Sequence, residues 1–160
     1  MQPLDPRVVT VWRITATISS VVVMLVTLPL DLGRVFSDDP IVPVGLPSLI
    51  VAVLGVVSIF VTPGRRYRTW RYALEDDALL AEHGVWTHVR TVVPRTRVQH
   101  LDVTQGLIER EYGLARLVVH TAGTRDATVT IPGLPLETAE ALRDDLRQST
   151  AAEESGGKEG

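Results

Sequence analysis

Two long uncharged runs decide what this chain can become. Ile14 to Leu30 gives 17 residues without a charge and Pro40 to Gly64 gives 25, the densest apolar part lying between Leu46 and Val61. In lipid every backbone N–H and C=O must be satisfied within a helix or a closed barrel, and two segments cannot close a barrel. The Val, Ile and Thr content that would favour strands in water is therefore overruled, and both runs are expected as spanning helices, the first at the short end of the usual range. A signal peptide fits poorly: Ser19-Ser20 followed by Val21 to Leu28 offers no convincing cleavage site, and the second run would still need explaining. Pro29 falls near the end of the first run, whereas Pro43 and Pro47 imply that the second helix starts late or with a kink.

The count of Lys and Arg near the run ends sets the expected orientation. Arg7 and Arg13 precede the first run, Arg34 lies between the runs, and Arg65, Arg66, Arg68 and Arg71 follow the second. A multi-pass protein of a bacterial inner (cytoplasmic) membrane, with both termini in the cytoplasm, is expected. Its organisation is a cytoplasmic segment at 1–11, a first span at 12–30, an external loop at 31–40, a second span at 41–63, a cytoplasmic domain at 64–148 and a disordered tail at 149–160. Trp70 and Tyr72 fit either an interfacial aromatic belt or the domain core. Thr15, Ala16, Thr17, Ser19 and Ser20 in the first run, and Gly45, Ser48, Ala52, Gly55 and Ser58 in the second, are small enough for close packing within the hairpin or between copies.

Beyond residue 66 the period changes to two. Strands are read at Thr69 to Glu75, Ala78 to His83, Val85 to Val93, Val98 to Thr104, Leu107 to Glu111, Ala115 to Thr121 and Thr128 to Ile131. Asp76-Asp77, His83-Gly84 and Gly123 through Asp126 suit tight turns, Pro94 to Arg97 breaks a strand, and Gly106 suits a bulge. From Pro135 and Thr138 a helix follows, with Leu136, Ala139, Leu142 and Leu146 on one face. Its apolar stripe would close the mouth of a small antiparallel barrel.

The segments Trp70-Arg71-Tyr72, Arg97-Val98-Gln99, Thr104-Gln105-Gly106, Tyr112-Gly113-Leu114-Ala115, Thr121-Ala122-Gly123 and Ile131-Pro132-Gly133-Leu134, in this order and at these separations, carry a resemblance. The chain resembles the YdbS-like bacterial membrane proteins, whose soluble part is a bacterial pleckstrin-homology-like (PH-like) domain. The resemblance covers both spans and residues 67 to 147. It implies a membrane helical hairpin followed by a mainly-β, partly open barrel of about seven antiparallel strands capped by a carboxy-terminal helix. It brings no catalytic residues, and relatives with several such domains beside single-domain ones suggest hetero-complexes. At the turn before Gly84 this chain has Glu82-His83 where relatives are more basic, which weakens a headgroup-binding role for that hairpin.

The chemistry on offer is sparse. The chain of 160 residues has no cysteine, which excludes disulfides, thiolate metal sites and cysteine nucleophiles. Sixteen Lys and Arg against 19 Asp and Glu give a net charge of −3, so no excess of positive charge awaits nucleic acid. His83, His88, His100 and His120 match no metal motif, although His88 and His100 stand where neighbouring strands would let them meet. The carboxylate pairs Asp76-Asp77, Glu109 with Glu111 and Asp144-Asp145 fit turns and solvated faces rather than a catalytic dyad. Neither catalytic residues nor a metal or other cofactor is expected.

Arginine is the more informative residue. Arg95 and Arg97 flank the break before the Val98 strand and are candidate anion ligands, the alternative being ion pairs with Asp102 or Glu109 or simple solvation. Arg65, Arg66, Arg68 and Arg71 would meet an anionic leaflet, each contributing about 1 kcal/mol if close to it. Gln99 and Gln105 read as hydrogen-bonding groups beside a bulge, and Gly106, Gly113 and Gly123 as backbone requirements. The sequence thus points to a non-catalytic membrane protein whose domain binds another membrane protein or a second copy of itself within an envelope complex. Recognition of anionic membrane lipids is the second reading and a membrane-associated enzyme the third.

Overall fold

The computed structural model describes residues 1–36, 43–75, 77–122 and 128–156. Two compact units emerge, one formed by Val9–Arg65 and the other by Met1–Val8 together with the chain from Arg66 onward. Asp76, Gly123 and most of the segment between the two apolar runs lie outside the described residues.

In the first unit, helix α1 (Arg7–Gly33) and helix α2 (Leu46–Phe60) run antiparallel, and a short α3 (Thr62–Thr69) follows. The ranges Arg7–Gly33 and Leu46–Thr69 are each long and apolar enough to cross a membrane. The late start of α2 follows from Pro47, which occupies the first turn, where its missing N–H leaves no bond unmade. Close contact between the helices uses three of the small residues, Ser20, Ser48 and Gly55. A Cβ at Gly55 would lie 3.1 Å from Ser20 Oγ, and Ser48 donates its hydroxyl (2.8 Å) and its backbone N–H (3.3 Å) to Asp31 Oδ2. Asp31, at the last turn of α1, thus supplies a cap for the exposed N–H groups that open α2. Gly45 and Ala52, expected on the same packing face, are exposed.

The soluble unit is built from two antiparallel sheets. Strands β1 (Gln2–Pro3), β2 (Arg71–Leu74), β3 (Ala78–His83) and β4 (Val89–Pro94) pair in that order. Strands β5 (Val98–Thr104), β6 (Leu114–Thr121) and β7 (Thr128–Pro135) form the second sheet, with a register shift between Val98 and His100. No ladder joins the sheets among the described residues, so the PH-like barrel is open. Helix α5 (Leu136–Gly156) caps it, burying Ala139 and Leu146 and half-burying Leu136 and Leu142, the expected stripe. The helix runs on to Gly156, past Gln148, where the composition suggested a disordered tail.

The expected count of seven strands holds among the described residues, but its membership changes. Leu107–Glu111 is a short helix, α4, and not a strand. The apolar Leu107-Ile108 pair ahead of Glu109 misleads because the burial is inverted: Leu107 is 88% exposed and Glu109 only 3%. Glu109 sits three residues after Gly106 and accepts the Gly106 N–H at 2.8 Å, the reach of a carboxylate back to a helix start. Gly106 therefore opens a helix with an ordinary negative φ of −74° instead of forming a bulge, and Gly113, at φ +64°, ends the turn as expected of a glycine.

The strand missing from the sequence reading is β1. Gln2 pairs with Tyr72 and Pro3 with Arg71, and Leu4 and Val8 behind it are buried. The Asp5 N–H donates to the Gly133 carbonyl at 3.1 Å. A side chain at Gly133, whose φ is +65°, would collide with Val8, 2.6 Å from its Cβ. Replacing Gly133 by Ala combines left-handed strain with overpacking and is expected to destabilise the protein by about 2–4 kcal/mol. Gly64→Ala, in a helix with nothing within 4 Å of its Cβ, is the control. Thermal unfolding of both variants in one detergent checks this: the first should melt markedly earlier, the second no earlier than the parent.

Candidate functional site

The arginines expected to form one patch are divided by the fold. Arg95 opens a 3-10 turn over Arg95–Arg97 and its side chain is 10% exposed. Its guanidinium donates to the Glu75 carbonyl, from Nε at 3.3 Å and Nη2 at 3.0 Å, and to Asp145 Oδ2 at 3.1 Å. The group is thus committed to joining α5 to the end of β2, and its expected role as an anion ligand is corrected to a structural one. Neither sequence-level ion partner is used, since Glu109 pairs with Arg116 (2.7 Å) and Asp102 with two histidines. Arg97 is exposed two residues on, and its carbonyl accepts the Ala122 N–H. Arg65, Arg66 and Arg68 are exposed on α3, whereas Arg71 lies in β2 and donates to the Trp70 carbonyl at 2.8 Å.

Trp70 and Tyr72 resolve as core residues, 5% and 6% exposed. The Trp70 ring stacks on His83 with centroids 4.6 Å apart. Burial pushes the Tyr72 phenol above its ordinary pKa. Asp5, hydrogen-bonded to the Arg7 guanidinium, is held below the usual carboxylate range.

The histidines do not meet as expected. His88 follows β3 in the first sheet, 3.9 Å from Glu82, while His100 pairs across β5 and β6 with His120. Their rings are 5.9 Å apart, and both Nε2 atoms face Asp102, at 3.1 and 3.2 Å. Among the described residues no group of three or more His, Asp or Glu is arranged to hold a metal ion.

Gln105 Nε2 donates to the Leu114 carbonyl at 2.8 Å, tying the two ends of the α4 connection together, beside a helix start and not a bulge. Gln99 sits at the β5 register shift and is exposed. It lines a groove that sequence reasoning missed, a cavity of about 360 Å³ between β5 and α5 formed by Val98, Gln99, His100, Leu101, Arg143 and Arg147. Arg143 and Arg147 are four apart on a helix, a visible signal, but nothing local reveals that β5 lies beside them. A second groove, of about 460 Å³, runs between β2 and the opposite stretch of α5, with Tyr72, Leu74 and Leu142 in its lining. The tip of the β3 to β4 hairpin carries Trp86, 92% exposed, beside the exposed Val85 and Val89.

The Arg95 assignment has a direct consequence. Arg95→Met, which leaves Asp145 and the Glu75 carbonyl unmatched, should lower stability by about 1–3 kcal/mol. Arg97→Met should stay within about 0.5 kcal/mol of the parent. Equal melting temperatures for the two variants in detergent would count against a structural Arg95.

Comparison with known proteins adds the following. A family model described as "Bacterial PH domain" matches residues 13–150. The UPF0699 transmembrane protein YdbS of Bacillus subtilis (strain 168) is 29% identical over 143 residues, which cover 89% of this chain and 88% of the relative. The UPF0699 transmembrane protein YdbT of the same organism is 26% identical over 94 residues, 57% of this chain but only 19% of that protein. No solved structure matches. With two helices of membrane-spanning length and a relative described as a transmembrane protein, the chain is membrane-associated.

Proposed function

The chain belongs to the bacterial PH domain family, and from that premise we propose that it is a membrane-anchored docking module whose PH-like domain binds another membrane protein or a second copy of itself in an envelope complex. The observation that carries this reading is the kind of surface the soluble unit offers. Both sheets leave strand edges unpaired among the described residues, and Trp86 and Leu107 stand almost fully exposed. Large apolar side chains and open strand edges are liabilities in a free domain and assets in a bound one.

In this reading the helices cross the inner membrane as a hairpin, and both termini face the cytoplasm, as the arginine distribution supports. The absence of cysteine makes the topology easy to test. A Ser37→Cys variant should react with an impermeant maleimide in spheroplasts, and a Ser155→Cys variant only after permeabilisation. The reverse pattern overturns the orientation. Docking itself is tested by purifying the full-length protein from native membranes at low expression in mild detergent and determining its native mass. A partner or second copy at defined stoichiometry is expected, and a reproducible lone monomer overturns the reading.

A second reading, recognition of anionic lipid, is favoured by the exposure of Arg65, Arg66 and Arg68 on the eight-residue α3. Its mark is phosphatidylglycerol retained by the purified protein and lost when these three are replaced by Gln.

A further inference from the structure

We infer that the groove between β5 and α5 is the docking site, and that its occupant is an extended, acidic peptide segment of a partner protein that adds to the free edge of β5. The inference rests on the docking reading above and specifies where docking occurs and what chemistry it selects. Four consecutive residues, Val98 to Leu101, line the groove. The cavity touches all four residues in a row across the register shift between Val98 and His100, so it follows the length of the strand beside α5. One edge of β5 is unpaired, since β5 is the outer strand of its sheet among the described residues. A peptide laid there gains main-chain hydrogen bonds from β5.

Charge selects the occupant. Arg143 and Arg147 form the α5 wall, and the lining includes no Asp or Glu. Asp144 engages Arg143 through Nε at 2.9 Å and Nη2 at 2.8 Å, which holds that guanidinium in a fixed direction. Four residues on a helix rise about 6 Å, close to the roughly 6.7 Å between alternate residues of a strand. The two arginines therefore match carboxylates at positions i and i+2 of one peptide face. Val98 and Leu101 provide apolar contact for the residues between. A lipid headgroup would use the arginines but leave the strand edge unsatisfied.

The test uses the full chain in phosphatidylcholine nanodiscs, panned against a phage-displayed library of random twelve-residue peptides. Selected peptides should carry Asp or Glu at alternate positions and slow amide exchange across Val98–Thr104. They should bind the R143E/R147E and R143Q/R147Q variants at least tenfold more weakly, and an R90E variant within twofold of the parent. Circular dichroism establishes that all variants fold. Peptides that are neutral or basic, or indifferent to both arginine pairs, overturn the groove while leaving docking elsewhere intact. A parent that selects no peptide also overturns it; the co-purification experiment then decides independently whether the domain docks at all. Arginine-dependent retention of phosphatidylglycerol without peptide selection assigns the groove to a headgroup instead, and arginine-dependent dimerisation assigns it to a second copy.

Discussion

The soluble unit depends on a close approach that only glycine allows. At Gly133 the backbone of β7 comes so near Val8 that no Cβ fits, and the carbonyl there accepts the Asp5 N–H. The contact seats Leu4 and Val8 out of water, adds β1 to the edge of β2, and makes the residues before the first long helix part of the sheet architecture. Burying side chains of this size contributes about 1.5–3 kcal/mol each, a substantial share for a domain with a small core. The domain is thus discontinuous in sequence: the two membrane-length helices are an insertion within it, not a leader placed before it.

Arginine has three distinct roles in this chain, although the sequence presents it as one kind of signal. Arg95 is withdrawn from solvent to join α5 to the first sheet. Arg116 pairs with the buried Glu109 that opens α4. Arg143 and Arg147 line a groove and are offered outward. The difference lies in what surrounds each guanidinium: a carbonyl and a carboxylate within 3.3 Å satisfy Arg95 completely enough to keep it inside. In the docking reading proposed above, specificity comes from which charges remain beside an open strand.

Much of this architecture was legible because it rests on local patterns. The uncharged runs, the period-two strands from Ala78 to His83 and from Val98 to Thr104, and the stripe of Leu136, Ala139, Leu142 and Leu146 were all readable as they stand. Leu107–Glu111 was misread because two apolar residues followed by three charged ones do not say which of them is buried, and the signal that decides it, Glu109 reaching back to Gly106, is a capping contact. Strand β1 is two residues long, too short for any period. The Arg95 to Asp145 pair spans 50 residues and the His100 to His120 pair depends on strand register, so neither has a local signature. The candidate groove was hidden for the same reason, since its two walls are brought together only by the fold.

The discontinuity has a consequence in time. A ribosome delivers Gln2 to Val8 well before their partners, Tyr72 and Gly133, which arrive after both apolar helices have been made. Pairings between such distant positions wait on chain closure and form slowly. During synthesis the opening residues must therefore remain unclaimed, kept from wrong partners on exposed strand edges, until β7 is complete. A segment made before its partners is thus among the last to find its place.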